Sequence, residues 1–177
     1  MKKTILQGIA LMFTITLMAQ EKPNILIIHT DDLGYHDLSF TGSQLYDTPN
    51  IDRLAQSGAQ FTQFYSAHPV CSPTRAALMT GKVPQRMGIT QWIPQPSDIH
   101  LPLEETTIAE AFKSAGYRTG YIGKWHLGEG DDQQPSAHGF DWQKGVNRAG
   151  QPASYFYPYR RQARSQKKNY WNVPDFE

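Results

Sequence analysis

The sequence predicts an α/β layered fold. Three observations carry that expectation: a continuous apolar run at residues 24–29, helical patterns alternating with strand-like ones as far as Gly128, and glycines that close the helical stretches. Strands that alternate with helices build layers in which helices cover a sheet. Composition agrees, because 39% hydrophobic and 19% charged residues describe an ordinary globular chain rather than a disordered or fibrous one. A length of 177 residues suits one domain.

The elements follow in order. Asn24-Ile25-Leu26-Ile27-Ile28-His29 has no polar alternation, which suits a strand buried on both faces of a parallel sheet. It runs into Thr30-Asp31-Asp32-Leu33-Gly34, a polar loop. Residues 48–58 read as a helix whose Ile51, Leu54 and Ala55 share a face and which Gly58 stops. Residues 59–65 are a plausible second strand with Phe61, Phe64 and Tyr65 as its bulky members. In the next helix Ser72 suits the N-cap, Pro73 the first helical position, residues 76–79 the interior and Gly81 the end. A third helix is expected at 107–114, closed by Gly116, and a strand at 117–122. Beyond Gly128 no period and no internal repeat is legible.

The N-terminus predicts export. Lys2 and Lys3 precede an apolar stretch from Ile5 to Met18, and Ala19 is a small residue suited to cleavage. Residues 1–19 therefore read as a signal peptide, too short and too polar for a stable membrane span. A periplasmic or secreted protein follows, without a lipid anchor, since no cysteine lies at the cleavage region. Formal net charge is +1, so no global field recruits nucleic acid or membrane. Basic residues bunch only late, at Arg160, Arg161, Arg164, Lys167 and Lys168, among aromatics from Tyr155 to Trp171. Such a run reads first as a solvated insertion, and second as a lip that touches an anionic substrate.

Export sharpens the meaning of the single cysteine, Cys71, because no intrachain disulfide can form. Cys71 precedes a predicted helix N-terminus, where backbone N–H groups favour an anion. Arg75 lies one helical turn on, within reach of position 71. Its neighbours His68, Pro69, Ser72 and Pro73 are a poor setting for a buried thiol. Asp31 and Asp32 stand just past the first apolar run, and adjacent carboxylates invite a hard cation or a simple turn role.

Four ordered blocks resemble the sulfatase family. Cys71-Ser72-Pro73-Thr74-Arg75 with Thr80-Gly81 is similar to the family's Cys-x-Pro-x-Arg signature. Gly123-Lys124-Trp125-His126-Leu127-Gly128 resembles its second signature, residues 23–34 its opening strand and metal loop, and residues 48–55 the helix that follows. The match spans roughly residues 22 to 145.

The resemblance implies an alkaline-phosphatase-like α/β/α sandwich with a mainly parallel sheet, and residues 22–177 as the N-terminal part of the catalytic domain, with 156–177 a loop or insertion. It implies a sulfuric ester hydrolase in which Cys71 is oxidised to formylglycine by a formylglycine-generating or anaerobic sulfatase-maturating enzyme. Asp31, Asp32 and residue 71 would ligate calcium, with magnesium as the alternative. Arg75 would hold the hydrated aldehyde, Lys124 the sulfate and the aldehyde hydrate, and His126 the hydroxyl that does not attack. One hydroxyl of the hydrate attacks sulfur and displaces the alcohol. The second loses its proton toward His126, and the aldehyde reforms as sulfate leaves. The substrate would be a sulfated carbohydrate or an aryl sulfate. A phosphatase or phosphonate hydrolase of the same superfamily, and a non-catalytic glycan-binding remnant, are the alternatives. Family members are several hundred residues long. Their later ligands and general acid have no counterpart here, which predicts a sandwich incomplete at its C-terminus and an inactive truncated chain.

Overall fold

The computed structural model describes residues 22–147. The expected signal peptide at 1–19 and the basic, aromatic segment at 156–177 lie outside the described residues. The chain divides into two compact units, one ending at Leu54 and the other beginning at Ala55.

In the first unit the expected strand is not formed. Residues 22–30 make no ladder, and Leu26 and Ile28 are 84% and 73% exposed. An apolar run encodes a demand for burial, but a strand also needs neighbours for its backbone N–H and C=O groups. Among the described residues none pairs with this one. Order comes instead from side chains that bond backbone. Gly34 N–H donates to Asp37 Oδ2 at 2.7 Å and Asp37 N–H returns to the Gly34 carbonyl at 3.1 Å, closing a turn. Ser39 and Thr48 exchange bonds, each backbone N–H meeting the other's hydroxyl oxygen at 2.9 and 2.7 Å. Helix α1, Pro49–Ser57, starts there, and Asp52 in its first turn receives the Thr48 hydroxyl at 2.9 Å. The helix agrees with the sequence, but none of its residues is buried.

The second unit carries the core. Residues 59–65, expected as a strand, form none, and Phe61, Phe64 and Tyr65 are exposed. The core gathers around helix α2, Cys71–Thr80, where Ala76 and Met79 pack with Met87, Ile89, Ile93, Leu101, Trp125 and Leu127. Gly81 ends the helix at φ 67°, left-handed, with its N–H on the Ala77 carbonyl at 2.8 Å. The start differs from expectation. Cys71 is already helical and Val70 holds the cap position without a side-chain bond. Ser72 is fully buried in the first turn, and its hydroxyl serves a distant backbone rather than its own helix.

Helix α3, Ile108–Ser114, begins on a capping box. Thr107 Oγ1 accepts from Glu110 N–H at 3.2 Å, and Thr107 N–H donates to Glu110 Oε2 at 2.7 Å. The Thr107 hydroxyl donates onward to the His138 carbonyl at 2.7 Å, which ties the helix start to a later loop.

Strand β1, Gly120–Lys124, starts later than the expected 117 and pairs in parallel with β2, Trp142–Asn147, which the sequence did not disclose. Gly120 faces Trp142 in register, and a Cβ there would collide with the indole, so the position demands glycine. The parallel pair and its helices bear out the α/β class.

Asp141 anchors the end of the crossover. Its carboxylate takes Lys113 Nζ at 2.7 Å and Thr119 N–H at 2.9 Å. The bond from Lys113, then that from the Thr119 backbone, holds its pKa down at about 2. A carboxyl whose folded pKa lies below its unfolded value, about 4, stabilises the fold above that value, and the contribution vanishes as pH falls through about 2. Asp141→Asn is therefore expected to lower the urea midpoint at pH 6, with the gap to wild type closing between about pH 4 and 2. A gap constant with pH would show that the carboxylate charge contributes nothing.

Candidate functional site

The second unit brings four of the six sequence-selected residues together around the start of α2. Cys71 occupies the first helical position and is partly exposed. Thr74 Oγ1 donates to the His68 carbonyl, and Val70 N–H donates to His68 Nδ1 at 3.2 Å, so the loop before Cys71 is tied to the turn after it. The helix start itself gives position 71 a locally positive setting.

His126 comes to Cys71 across 55 residues of sequence, with Nδ1 3.2 Å from Sγ. It is 4% exposed and left-handed at φ 56°, a conformation non-glycine residues seldom adopt. Its other nitrogen, Nε2, lies 2.9 Å from the Ile93 carbonyl oxygen. A carbonyl only accepts, so Nε2 carries the hydrogen. A neutral ring then turns the Nδ1 lone pair toward residue 71. The hydrogen-bond network thus selects the tautomer in which His126 can accept a proton from that side chain.

Arg75 is almost completely buried and donates from Nη1 to the Lys124 carbonyl at 2.6 Å. The Tyr121 hydroxyl donates to the same oxygen. Burial pushes the Tyr121 phenol up from its ordinary value, and the Arg75 guanidinium beside it pulls the other way. Tyr121 also meets Trp125 edge to face, with ring centroids 5.2 Å apart. Trp125 is fully buried and donates from Nε1 to the Gln133 carbonyl at 2.8 Å. Arg75, Tyr121 and Trp125 therefore fix the turn that presents Lys124 and His126.

Three participants were not legible in the sequence. Ser72 Oγ accepts from Ile93 N–H at 3.1 Å, while the carbonyl of Ile93 holds His126. Ile93 is thus clamped by α2 on one side and by the imidazole on the other. Tyr121 stands three residues before Lys124 with no signature of its own. His138 is buried against Trp125 with ring centroids 5.4 Å apart. Neither of its ring nitrogens has a hydrogen-bond partner among the described residues. Burial lowers its pKa below the ordinary histidine value, against the upward pull of Glu110.

Asp31 and Asp32 belong to the first unit, where both are exposed on a bend and Asp32 is left-handed at φ 54°. Two carboxylates match the oxygen chemistry of a hard divalent ion but supply only part of its usual shell of about six to eight ligands. Among the described residues no three or more His, Cys, Asp or Glu side chains converge as a metal-binding group.

Comparison with known proteins covers nearly the whole described region. The profile of the family described as Sulfatase matches residues 23–176. Arylsulfatase A of Bos taurus is 49% identical over 127 residues, 70% of this chain and 25% of its own length. N-acetylgalactosamine-6-sulfatase of Canis lupus familiaris is 41% identical over 155 residues, 82% of this chain and 28% of its own. Among solved structures, Ps i-CgsB in complex with k-i-k-neocarrahexaose aligns with TM-score 0.61 and 43% identity, over 63% of this chain and 25% of that one. The chain spans about a quarter of the length of the curated relatives it matches.

Proposed function

Since this chain belongs to the sulfatase family, we propose that it serves the hydrolysis of sulfate monoesters, with residue 71 as the nucleophile position and a sulfated carbohydrate as the substrate class. The observation that carries the reading is the 3.2 Å contact between Cys71 Sγ and His126 Nδ1 at the start of a helix whose next turn carries the buried Arg75. Family membership supports oxidation of Cys71 to formylglycine, with a sulfatase-maturating enzyme as the partner that performs it. The hydrated aldehyde supplies a hydroxyl nucleophile together with a second hydroxyl whose deprotonation releases sulfate.

The remaining steps fall to the chain's own groups. His126 accepts a proton at Nδ1 from the side chain of residue 71, while the Ile93 carbonyl keeps its Nε2 hydrogen in place. Arg75 supplies fixed positive charge one helical turn after position 71, and its bond to the Lys124 carbonyl couples that charge to the turn carrying the Lys124 ammonium. Charge developing on sulfate oxygens is stabilised by such preorganised cations and N–H groups. Asp31 and Asp32 would hold calcium, or magnesium in its place, an ion that supplies Lewis acidity when bound.

A sugar substrate is supported by the names of two relatives, one called N-acetylgalactosamine-6-sulfatase, the other solved in complex with k-i-k-neocarrahexaose. Export through residues 1–19 would place the protein in the periplasm or outside the cell. No helix among the described residues is long and apolar enough to cross a membrane.

The test compares 4-nitrophenyl sulfate with 4-nitrophenyl phosphate, using full-length protein matured by co-expression with a formylglycine-generating enzyme. The sulfate ester is expected to be favoured at least about 100-fold in kcat/KM, a discrimination of about 2.7 kcal/mol. Equal turnover, or preference for phosphate, would replace this reading with a phosphatase.

A further inference from the structure

Beside the site lies a cleft of about 340 Å³ whose walls include Ile89, Thr90, Gln91, Trp92, Pro94 and Ile99. Ile89 is buried and forms a floor, whereas Trp92 is 54% exposed, with Thr90 and Gln91 exposed next to it. The position of the cleft is not accidental. Ile93, the very next residue, is held through its N–H by Ser72 at 3.1 Å and through its carbonyl by His126 at 2.9 Å. Trp92 therefore stands one Cα step, about 3.8 Å, from the residue that bridges the Cys71 helix and the His126 ring.

We infer that this cleft is a sugar subsite, in which the Trp92 indole stacks on the carbon–hydrogen face of a pyranose while the amide of Gln91 and the hydroxyl of Thr90 bond ring hydroxyls. The inference rests on the sulfatase reading for the sulfate end of the ligand. Its own support is the chemistry of the walls. They carry no charged side chain, so they hold a neutral part of the ligand and not its sulfate. A broad aromatic face flanked by a neutral amide and a hydroxyl suits a ring that is apolar on its faces and polar at its edge. An adjoining cavity is lined in part by Asp98, Glu104 and His100, and its two carboxylates disfavour a sulfate on that side.

The test uses full-length protein and two probes. The first is a sulfated galactose hexasaccharide, titrated by calorimetry. The second is 4-nitrophenyl sulfate, which has no sugar ring. Trp92→Ala is expected to weaken hexasaccharide binding about tenfold and to raise its KM about tenfold more than that of 4-nitrophenyl sulfate. Trp92→Phe, which keeps a flat ring, is expected to restore most of the affinity. Hexasaccharide binding within twofold of wild type in Trp92→Ala would overturn the subsite, as would equal KM penalties on both probes. Wild type that binds the hexasaccharide through Trp92 yet hydrolyses neither sulfate would overturn the sulfatase reading and leave the subsite standing.

Discussion

Replacing Cys71 with alanine is expected to reduce turnover of 4-nitrophenyl sulfate by roughly 10⁴-fold or more, to the background of the solution reaction. On the proposed reading the effect is large because formylglycine at 71 would supply both the attacking hydroxyl and the second hydroxyl whose deprotonation releases sulfate. The neighbouring hydroxyls are committed elsewhere: that of Ser72 is fully buried and accepts from Ile93 N–H, and that of Thr74 donates to the His68 carbonyl. The fold should survive, since alanine favours a helix and the core contacts of α2 come from Ala76 and Met79. Cys71→Ser separates the two roles. A serine hydroxyl can attack sulfur but has no second hydroxyl on the same carbon, so a sulfate ester of the protein should accumulate and be visible by intact mass. A Cys71→Ala protein within tenfold of wild type would remove residue 71 from the chemistry. So would intact thiol in active, matured enzyme.

Replacing His126 with asparagine is expected to lower kcat by roughly 10²- to 10⁴-fold, the span typical of a lost acid–base group. Asparagine is the informative choice because it tolerates the left-handed backbone at φ 56°, so the turn need not rearrange. The lost function is the lone pair 3.2 Å from the side chain of residue 71. Two readouts distinguish that from a structural role. Any limb of the pH–rate profile that reports imidazole protonation should vanish, and the thermal midpoint should move by only a few degrees. A fall below tenfold with an unchanged pH profile would make His126 a structural anchor for Ile93, to whose carbonyl it bonds at 2.9 Å.

The two signature blocks were legible because each is local. Pro73 and Gly81 mark the limits of a helix within a few residues of Cys71, and the spacing of Cys71 and Arg75 is one turn of it. The helix at 107–114 was likewise legible from its local pattern, while the capping box of Thr107 and Glu110 that starts it was read only from the structure. Errors began where a residue's fate depends on something distant. Ser72 has the chemistry of a cap, yet its hydroxyl is taken by Ile93, 21 residues away. Residues 24–29 have the apolarity of a central strand, yet no described segment pairs with them.

By itself the amino-acid order determined the family, the existence of three helices near residues 48–58, 73–81 and 107–114, and the short list of residues around which any chemistry must be built. Only the tertiary structure decided that Nδ1 of His126 faces Cys71, that Tyr121 and Arg75 share the Lys124 carbonyl, and that Trp142 lies over Gly120 in a parallel pair. Caps and helical periodicity are settled by interactions within about one turn of chain. Which nitrogen of a ring carries its hydrogen, and which strand finds a neighbour, is settled by acceptors and donors that folding brings from tens of residues away.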